Sequence, residues 1–330
     1  MAHWGILGTG KIAHTFAQAL KGNENSVLVA VGSRTLERAQ AFAEEFGVER
    51  AYGSYEELAK DESLDIIYIA TPMSAHHDDA ILCLNSGRNV LCEKSLALNT
   101  AQAEEMTAIA KEKDLFFMEA MWMKLRPTFM KVKQWINDGR IGKVQYIKAD
   151  FNNYIPYDSN DRLFRADCGG GALLDLGVYP LTFVMALLGE PEDIYTRAHM
   201  GKDGVDLSNT VILTYTDGCY ADTSSGFEVQ DKNGAVISGD KGSIIMGDWF
   251  HCTSECTLYD NDGNVVEDRF FPPEINGYEY EIREAERCLA ENMKESAVIP
   301  HEDTLAVMRL MDRCRKEWGM TFPDEQTPTE

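Results

Sequence analysis

HWGILGTGKIAHTFAQAL, residues 3–20, decides the fold. Residues 3–8 form a short apolar run that ends in glycine. Ile12, Phe16, Ala19 and Leu20 then recur at helical spacing. Between them Gly8-Thr9-Gly10-Lys11-Ile12-Ala13 fits the pattern G-x-G-x-x-A. The first glycine permits a tight turn, and the second lets a pyrophosphate approach the backbone. The small third residue lets the helix pack close to the strand. Free N–H groups at the helix start then face the phosphates. A glycine turn alone is a weak signal. One that follows a strand, opens a helix and begins a βαβ unit is the context for dinucleotide binding.

The same alternation continues outward. SVLVAVG (26–32) is apolar on both faces, as a buried parallel strand should be. Residues 35–46 are helical, with Leu36, Ala39, Phe42, Ala43 and Phe46 on one side. LDIIYIATP (64–72) is a further strand stopped by Pro72, and a helix runs through Ala80 to Leu84. NVLCEKS (89–95), a helix over 100–113 and LFFMEAMW (115–122) complete the pattern. It predicts an α/β fold, a Rossmann-type doubly wound parallel sheet over residues 1–121.

The rhythm changes in the second domain, residues 122–330. A helix near 127–138 is followed by KVQYIKADFNN (143–153) and by Gly169-Gly170-Gly171, which opens an apolar helix reaching Leu188. TVILTY, AVISG and CTLY precede the turns Thr216-Asp217-Gly218, Asp240-Lys241-Gly242 and Asp260-Asn261-Asp262-Gly263. Strands at hairpin spacing predict an α+β domain with an open, mostly antiparallel sheet. Five or more such strands with no second helical layer leave one face for a two-fold contact, so a homodimer or tetramer is expected. Two amphipathic helices close the chain, and PDEQTPTE (323–330) reads as a disordered tail.

Composition narrows the function. The chain has 330 residues, with 31 Lys and Arg against 54 Asp and Glu, a net charge of −23. Nucleic acid and anionic membrane are disfavoured as partners, because both require a basic footprint. The N-terminus lacks a basic segment followed by a long apolar run, and no uninterrupted apolar run approaches a membrane span. Eight scattered cysteines without a C-x-x-C pair read as reduced thiols in a cytoplasmic protein, with no metal site.

Polar residues then stand out where packing alone would not choose them. Gly32-Ser33-Arg34 ends the second strand, with Arg38 one helical turn on. No carboxylate occupies the place that usually binds a free ribose 2′-hydroxyl. Ser33, Arg34 and Arg38 suit a 2′-phosphate instead, so NADP is expected as cofactor and NAD is less favoured. Thr71, Pro72 and His76 follow one buried strand, and Glu93-Lys94 follows another, at the sheet edge where such folds bind ligands. Asp175, Tyr179 and Thr182 are the polar side chains of ALLDLGVYPLTFVMALLG, spaced to share one helix face. Trp122 is read as lining the substrate pocket or packing at the domain junction. Arg165 is read as approaching the nicotinamide region or pairing with Asp167.

At these residues the chain resembles the glucose–fructose oxidoreductase and inositol dehydrogenase family (Gfo/Idh/MocA). The matching pieces are GTGKIA (8–13), Thr71-Pro72-x-x-x-His76, the turn before NVLCEK, GGGALLDLGVY (169–179) and IPHEDTLAVMRLMD (299–312). EAMWMKLRP (119–127) and the Ser-Arg pair are most similar to the dimeric dihydrodiol dehydrogenase and NADP-dependent D-xylose dehydrogenase subgroup. Ser95 stands where the family has proline, Met73 where it has asparagine, and Tyr179 where many members have histidine. The resemblance implies Lys94 as the active-site lysine, with Asp175 and Tyr179 beside the substrate.

The chemistry this implies is oxidation of a secondary alcohol of a sugar, cyclic polyol or vicinal diol. The cofactor takes a hydride and a side chain takes a proton. An ordinary tyrosine pKa is near 10, and an adjacent ammonium favours the phenolate. Tyr179 is therefore assigned as base and Lys94 as its activating cation, with Asp175 as orienter; Lys94 as the direct base stays open. The rival reading is a non-catalytic dinucleotide-binding regulator on the same scaffold.

Overall fold

The structure, a computed structural model, describes residues 1–325. The chain divides into two compact units. The first comprises Met1–Trp122 and Pro273–Leu305; the second comprises Met123–Pro272 and the chain from Ala306 on. A single cut at 121/122 follows the order of the sequence, whereas in space the segment Pro273–Leu305 returns to the first unit.

The first unit holds a six-stranded parallel sheet. Its strands are β1 (Ala2–Leu7), β2 (Ser26–Gly32), β3 (Arg50–Tyr52), β4 (Ile66–Ile69), β5 (Asn89–Glu93) and β6 (Phe117–Ala120). The order is β3-β2-β1-β4-β5-β6, a doubly wound arrangement whose order reverses between β1 and β4. The crossover helices are α1 (Lys11–Gly22), α2 (Leu36–Phe46), α3 (Tyr55–Ala59), α4 (His76–Asn85) and α5 (Thr100–Glu112). Trp4, Ile6, Ile66, Ile67, Ile69, Val90 and Leu91 are wholly buried, as strands covered on both faces require. Phe16 of α1 stacks on Tyr68 with ring centres 3.6 Å apart.

The returning segment carries α8 (Glu279–Ala290). Glu286 accepts hydrogen bonds from Trp4 Nε1 at 3.1 Å, from Asn23 Nδ2 at 3.2 Å and from Ser26 Oγ. These partners lie in the first βαβ unit, so polar contacts far apart in sequence bring α8 home. Trp122 and Tyr278, both in this unit, stack at 4.7 Å.

The second unit holds an eight-stranded sheet. Its strands are β7 (Val144–Asn152), β8 (Asp193–Met200), β9 (Asp206–Thr214), β10 (Tyr220–Gly226), β11 (Ala235–Gly239), β12 (Gly242–Met246), β13 (Glu255–Asp260) and β14 (Val265–Phe270). The order is β14-β13-β12-β11-β7-β10-β9-β8. All pairings are antiparallel except β7 with β10. The three expected glycine turns close the β9–β10, β11–β12 and β13–β14 hairpins. α6 (Pro127–Asn137) and α7 (Val178–Leu188) bring Phe129 and Phe183 together in the core. The opposite sheet face leaves Tyr195, Ile212, Tyr220 and Ile245 exposed.

Ala166–Leu188 is long and apolar enough to cross a membrane, but 78% of its most apolar window is buried inside the protein. α9 (His301–Trp318) contains the division between the units. Of the expected disordered tail, Pro323–Glu325 forms a 3₁₀ turn instead, because Arg315 holds Glu325 through two 2.9 Å bonds. The rest of that tail lies outside the described residues.

Candidate active site

In the first unit the polar residues collect at the carboxyl edge of the parallel sheet. Gly8 has φ +105°, and a Cβ there would lie 2.9 Å from the Ala70 carbonyl oxygen. Its N–H donates to Gly32 O at 2.9 Å, so the turn is pinned between β2 and β4. Only glycine fits both the angle and the gap. At Gly10 a Cβ would meet one atom, 4.0 Å away, so this side of the turn is open. Gly10 caps α1 with no side-chain bond, and no acidic residue occupies the first turn. Those N–H groups, and the dipole behind them, fit a pyrophosphate.

The neighbouring turns are tied to each other. Ser33 is buried, with its hydroxyl 3.3 Å from Thr9 Oγ1. Arg34 and Arg38 are exposed beside Tyr55. Burial and the Asp79 charge raise the Tyr55 phenol, and the two guanidinium groups oppose that rise. Thr71 donates to Asp79 Oδ2 at 2.7 Å, and burial pushes this carboxyl up to about 6. Pro72 is exposed at the same turn. His76 is buried, with its two ring nitrogens 3.0 Å from the carbonyl oxygens of Thr71 and Ser95. Burial pushes its pKa down to about 4. The ring thus lies between the turn after β4 and the turn after β5, and when neutral it donates its single N–H to one of the two carbonyls.

Glu93 and Lys94 sit at the end of β5. Glu93 is buried, accepting from Tyr68 Oη and from the Lys94 N–H at 3.2 Å. Burial pushes this carboxyl up to about 7, against the Tyr68 bond and the Lys94 charge. Lys94 itself is partly exposed, and the Lys94–Ser95 peptide is cis.

In the second unit the polar residues lie on a helix over the sheet. Gly169-Gly170-Gly171 makes its entry. A Cβ on Gly170 would stand 2.7 Å from each of the carbonyl oxygens of Arg162, Leu163 and Arg165. Leu173–Gly177 is then π-helical, a form found mostly as single turns and frequently at functional sites. Asp175 lies in this turn, so the expected regular spacing from Asp175 to Tyr179 and Thr182 is interrupted. Arg162 Nη2 donates to Asp175 Oδ1 at 3.2 Å. Tyr179 is buried; its ring centre lies 5.5 Å from Phe151 and 4.8 Å from His251. Thr182 is buried too. Arg165 is exposed and its Nε donates to Asp167 Oδ1 at 2.9 Å.

A buried polar group holds the π turn from below. Asp206 Oδ2 accepts from the Leu173 N–H at 2.9 Å and from Asn209 Nδ2 at 2.8 Å. Asn209 Nδ2 also donates to Ser225 Oγ at 2.8 Å. A Cβ on Gly177 would lie 2.7 Å from that hydroxyl. Burial pushes Asp206 up to about 6.

Sequence reasoning missed Arg162, Phe151, His251, Asp206, Asn209 and Ser225. Arg162 stood in DRLFRADCGGG, close to the glycine run. The others come from separate strands and a distant loop, where no local pattern marks them.

The oxidoreductase family with an NAD-binding Rossmann fold (Gfo/Idh/MocA) matches residues 2–121, and its C-terminal domain matches residues 129–245. The chain is 35% identical over 334 residues to a trans-1,2-dihydrobenzene-1,2-diol dehydrogenase of Xenopus tropicalis, covering 97% of this chain and 99% of that one. It is 34% identical to the Homo sapiens protein of the same name, covering 98% of each. A 3-ketoreductase from Actinomadura kijaniata, solved with NADP and TDP-benzene, superposes with a TM-score of 0.84 at 27% identity, covering 96% and 97% of the two chains. An aldose-aldose oxidoreductase from Caulobacter crescentus shares the fold, with a TM-score of 0.87 at 22% identity over 96% and 98%. With both domains and nearly the whole length matched, the chain belongs to the Gfo/Idh/MocA oxidoreductase family and is an NAD(P)-dependent dehydrogenase.

Proposed function

We propose that this dehydrogenase uses NADP to oxidise a secondary alcohol of a vicinal diol, sugar or cyclic polyol, or runs the reverse reduction. The observation that carries the reading is the open glycine turn at an uncapped helix start, with Ser33, Arg34 and Arg38 at the end of the next strand. The names of the relatives support the substrate class. Gly8, Thr9, Gly10, Lys11 and Ile12 would hold the pyrophosphate, while Ser33, Arg34 and Arg38 would hold the 2′-phosphate. Thr71, Pro72, His76, Glu93 and Lys94 form the adjoining edge, and Arg165 is a further candidate cofactor contact. When bound, NADP supplies the hydride acceptor. Tyr179 takes the alcohol proton, and the Lys94 ammonium favours the phenolate and polarises the oxygen. Asp175, held by Arg162, orients the hydroxyl, and Trp122 lines the substrate pocket. A screen of diols and sugars by nicotinamide absorbance tests this. Turnover with NADP is expected; no turnover on any member of either class sinks the reading.

We also assign the exposed sheet face of the second unit to a homodimer or tetramer. Tyr195 at 65%, Tyr220 at 48% and Ile245 at 41% exposure put apolar area in water. Light scattering showing a monomer at micromolar concentration would overturn this. A cytoplasmic site suits NADP use and the free cysteines; cell fractionation tests it.

A further inference from the structure

One buried charge site in the first unit has no part in the reading above. Glu281, in the first turn of α8, is wholly buried. Neither of its carboxylate oxygens has a hydrogen-bond partner among the described residues. An ionised carboxylate in that position would lose its hydration with nothing to replace it. The position is not remote. Glu281 and Glu93 act on each other electrostatically, and the Tyr68 phenol senses both. Tyr68 donates to one oxygen of Glu93, and the Lys94 N–H reaches the other.

The groups that face this pair can be named element by element. β4 contributes Tyr68, and β5 contributes Glu93 with Lys94 beyond it. β6 contributes Glu119, which accepts from the Leu96 N–H at 3.2 Å and from Thr304 Oγ1 at 2.9 Å. The start of α8 contributes Tyr278 and Glu281 itself. α1 brings the uncharged ring of Phe16 against Tyr68. Hydrogen bonds that favour a carboxylate are thus given to Glu93 and withheld from Glu281. Two carboxyls in one dry site keep a proton between them, because both cannot ionise cheaply.

We infer that Glu281 is a positioning residue for the proton chemistry at Lys94. Its carboxyl and that of Glu93 hold one proton between them, so that Lys94 is backed by a single negative charge and not two. Loss of that proton at high pH would place a second negative charge behind the lysine. This rests on the reading of Lys94 as the active-site lysine, so the test separates the two claims.

The first measurement needs no turnover. Infrared difference spectra of the full chain at neutral pH compare wild type with Glu281→Gln. The expected result is a C=O band of a protonated carboxyl in wild type that Glu281→Gln lacks. Absence of that band in wild type overturns the inference. Should Glu281→Gln fail to fold, Glu281→Asp keeps the carboxyl. Its band should persist at a shifted frequency, and a spectrum without it is equally fatal. The second measurement is the pH profile of kcat/KM. Wild type should show an alkaline inflection that Glu281→Gln moves by about one unit or abolishes, and that Glu281→Asp restores. Superimposable profiles break the link to Lys94. If Lys94→Met stays active while the band behaves as expected, the shared proton stands and the role of Lys94 falls.

Discussion

The two units present polar chemistry in opposite ways. In the first, reactive groups stand at the edge of a sheet on turns close to one another in sequence. Gly8, Ser33 and Lys94 each follow a parallel strand directly, and Thr71 comes two residues after one. In the second, Asp175 and Tyr179 ride a helix over a sheet. That helix is gripped by Asp206, Asn209 and Ser225 from strands 30 to 50 residues later, as the numbering shows. The first design is local and exposes backbone to a ligand. The second is non-local, and needs buried polar side chains to hold one irregular turn.

The largest expected effect tests the two residues proposed for proton transfer, one from each unit. Lys94→Ala and Tyr179→Phe should each lower kcat by about 10²-fold or more, the range of a lost proton-transfer group. Single-turnover and steady-state rates would show it. If Tyr179→Phe keeps near-full kcat while Lys94→Ala is dead, lysine is the base and the helix of the second unit only positions substrate.

Glycines sharpen the contrast next. Gly170→Ala in the second unit sets a methyl against three backbone carbonyls that cannot yield, and should cost about 3 kcal/mol of stability. Gly10→Ala in the first unit meets open space, so its melting temperature should stay close to wild type. Its cofactor affinity should fall by about tenfold, because the methyl occupies the phosphate approach. Equal melting losses in the two variants would erase the distinction between a turn shaped for a ligand and one shaped for a helix.

Acid titration should then separate one buried group of each unit, His76 and Asp206, by sign. Folded His76, at about 4, resists protonation relative to its ordinary value of 6.5. It therefore contributes stability above pH 6.5 that is lost as pH falls from about 6.5 to about 4, up to about 3 kcal/mol. Folded Asp206, at about 6, binds its proton more tightly than its ordinary value of 3.8 would allow. It costs stability at neutral pH, and that cost is relieved as pH falls from about 6 to about 3.8. His76→Gln should flatten the acid decline in melting temperature, and Asp206→Asn should steepen it. Both variants moving the profile the same way would contradict the assignment.

The last effect is cofactor choice. One charge-assisted bond from Arg34 to a 2′-phosphate contributes about 1.5–3 kcal/mol, roughly ten- to a hundredfold in kcat/KM for NADP over NAD. The opposing net charge of −23 is screened beyond about 8 Å at physiological salt. Arg34→Asp should reverse the preference in paired kcat/KM measurements. A wild type that uses NAD and NADP equally refutes the assignment.

The sequence alone determined the parallel sheet, the glycine turn, the three hairpins and the position of Lys94 at a strand end. All rest on local signals: a period of two or 3.6, a turn residue, a polar side chain where an apolar run stops. Tertiary structure alone decided the rest. β3 is three half-buried residues and β14 is an edge strand with little alternation, so neither carries a period strong enough to read. The parallel pairing of β7 with β10 joins strands about 75 residues apart, and register at that distance leaves no local trace. The same holds for the π turn that carries Asp175 and for the return of α8 to the first unit. Each is decided by which distant side chain must satisfy a buried polar group, and that partner is known only once the chain has folded.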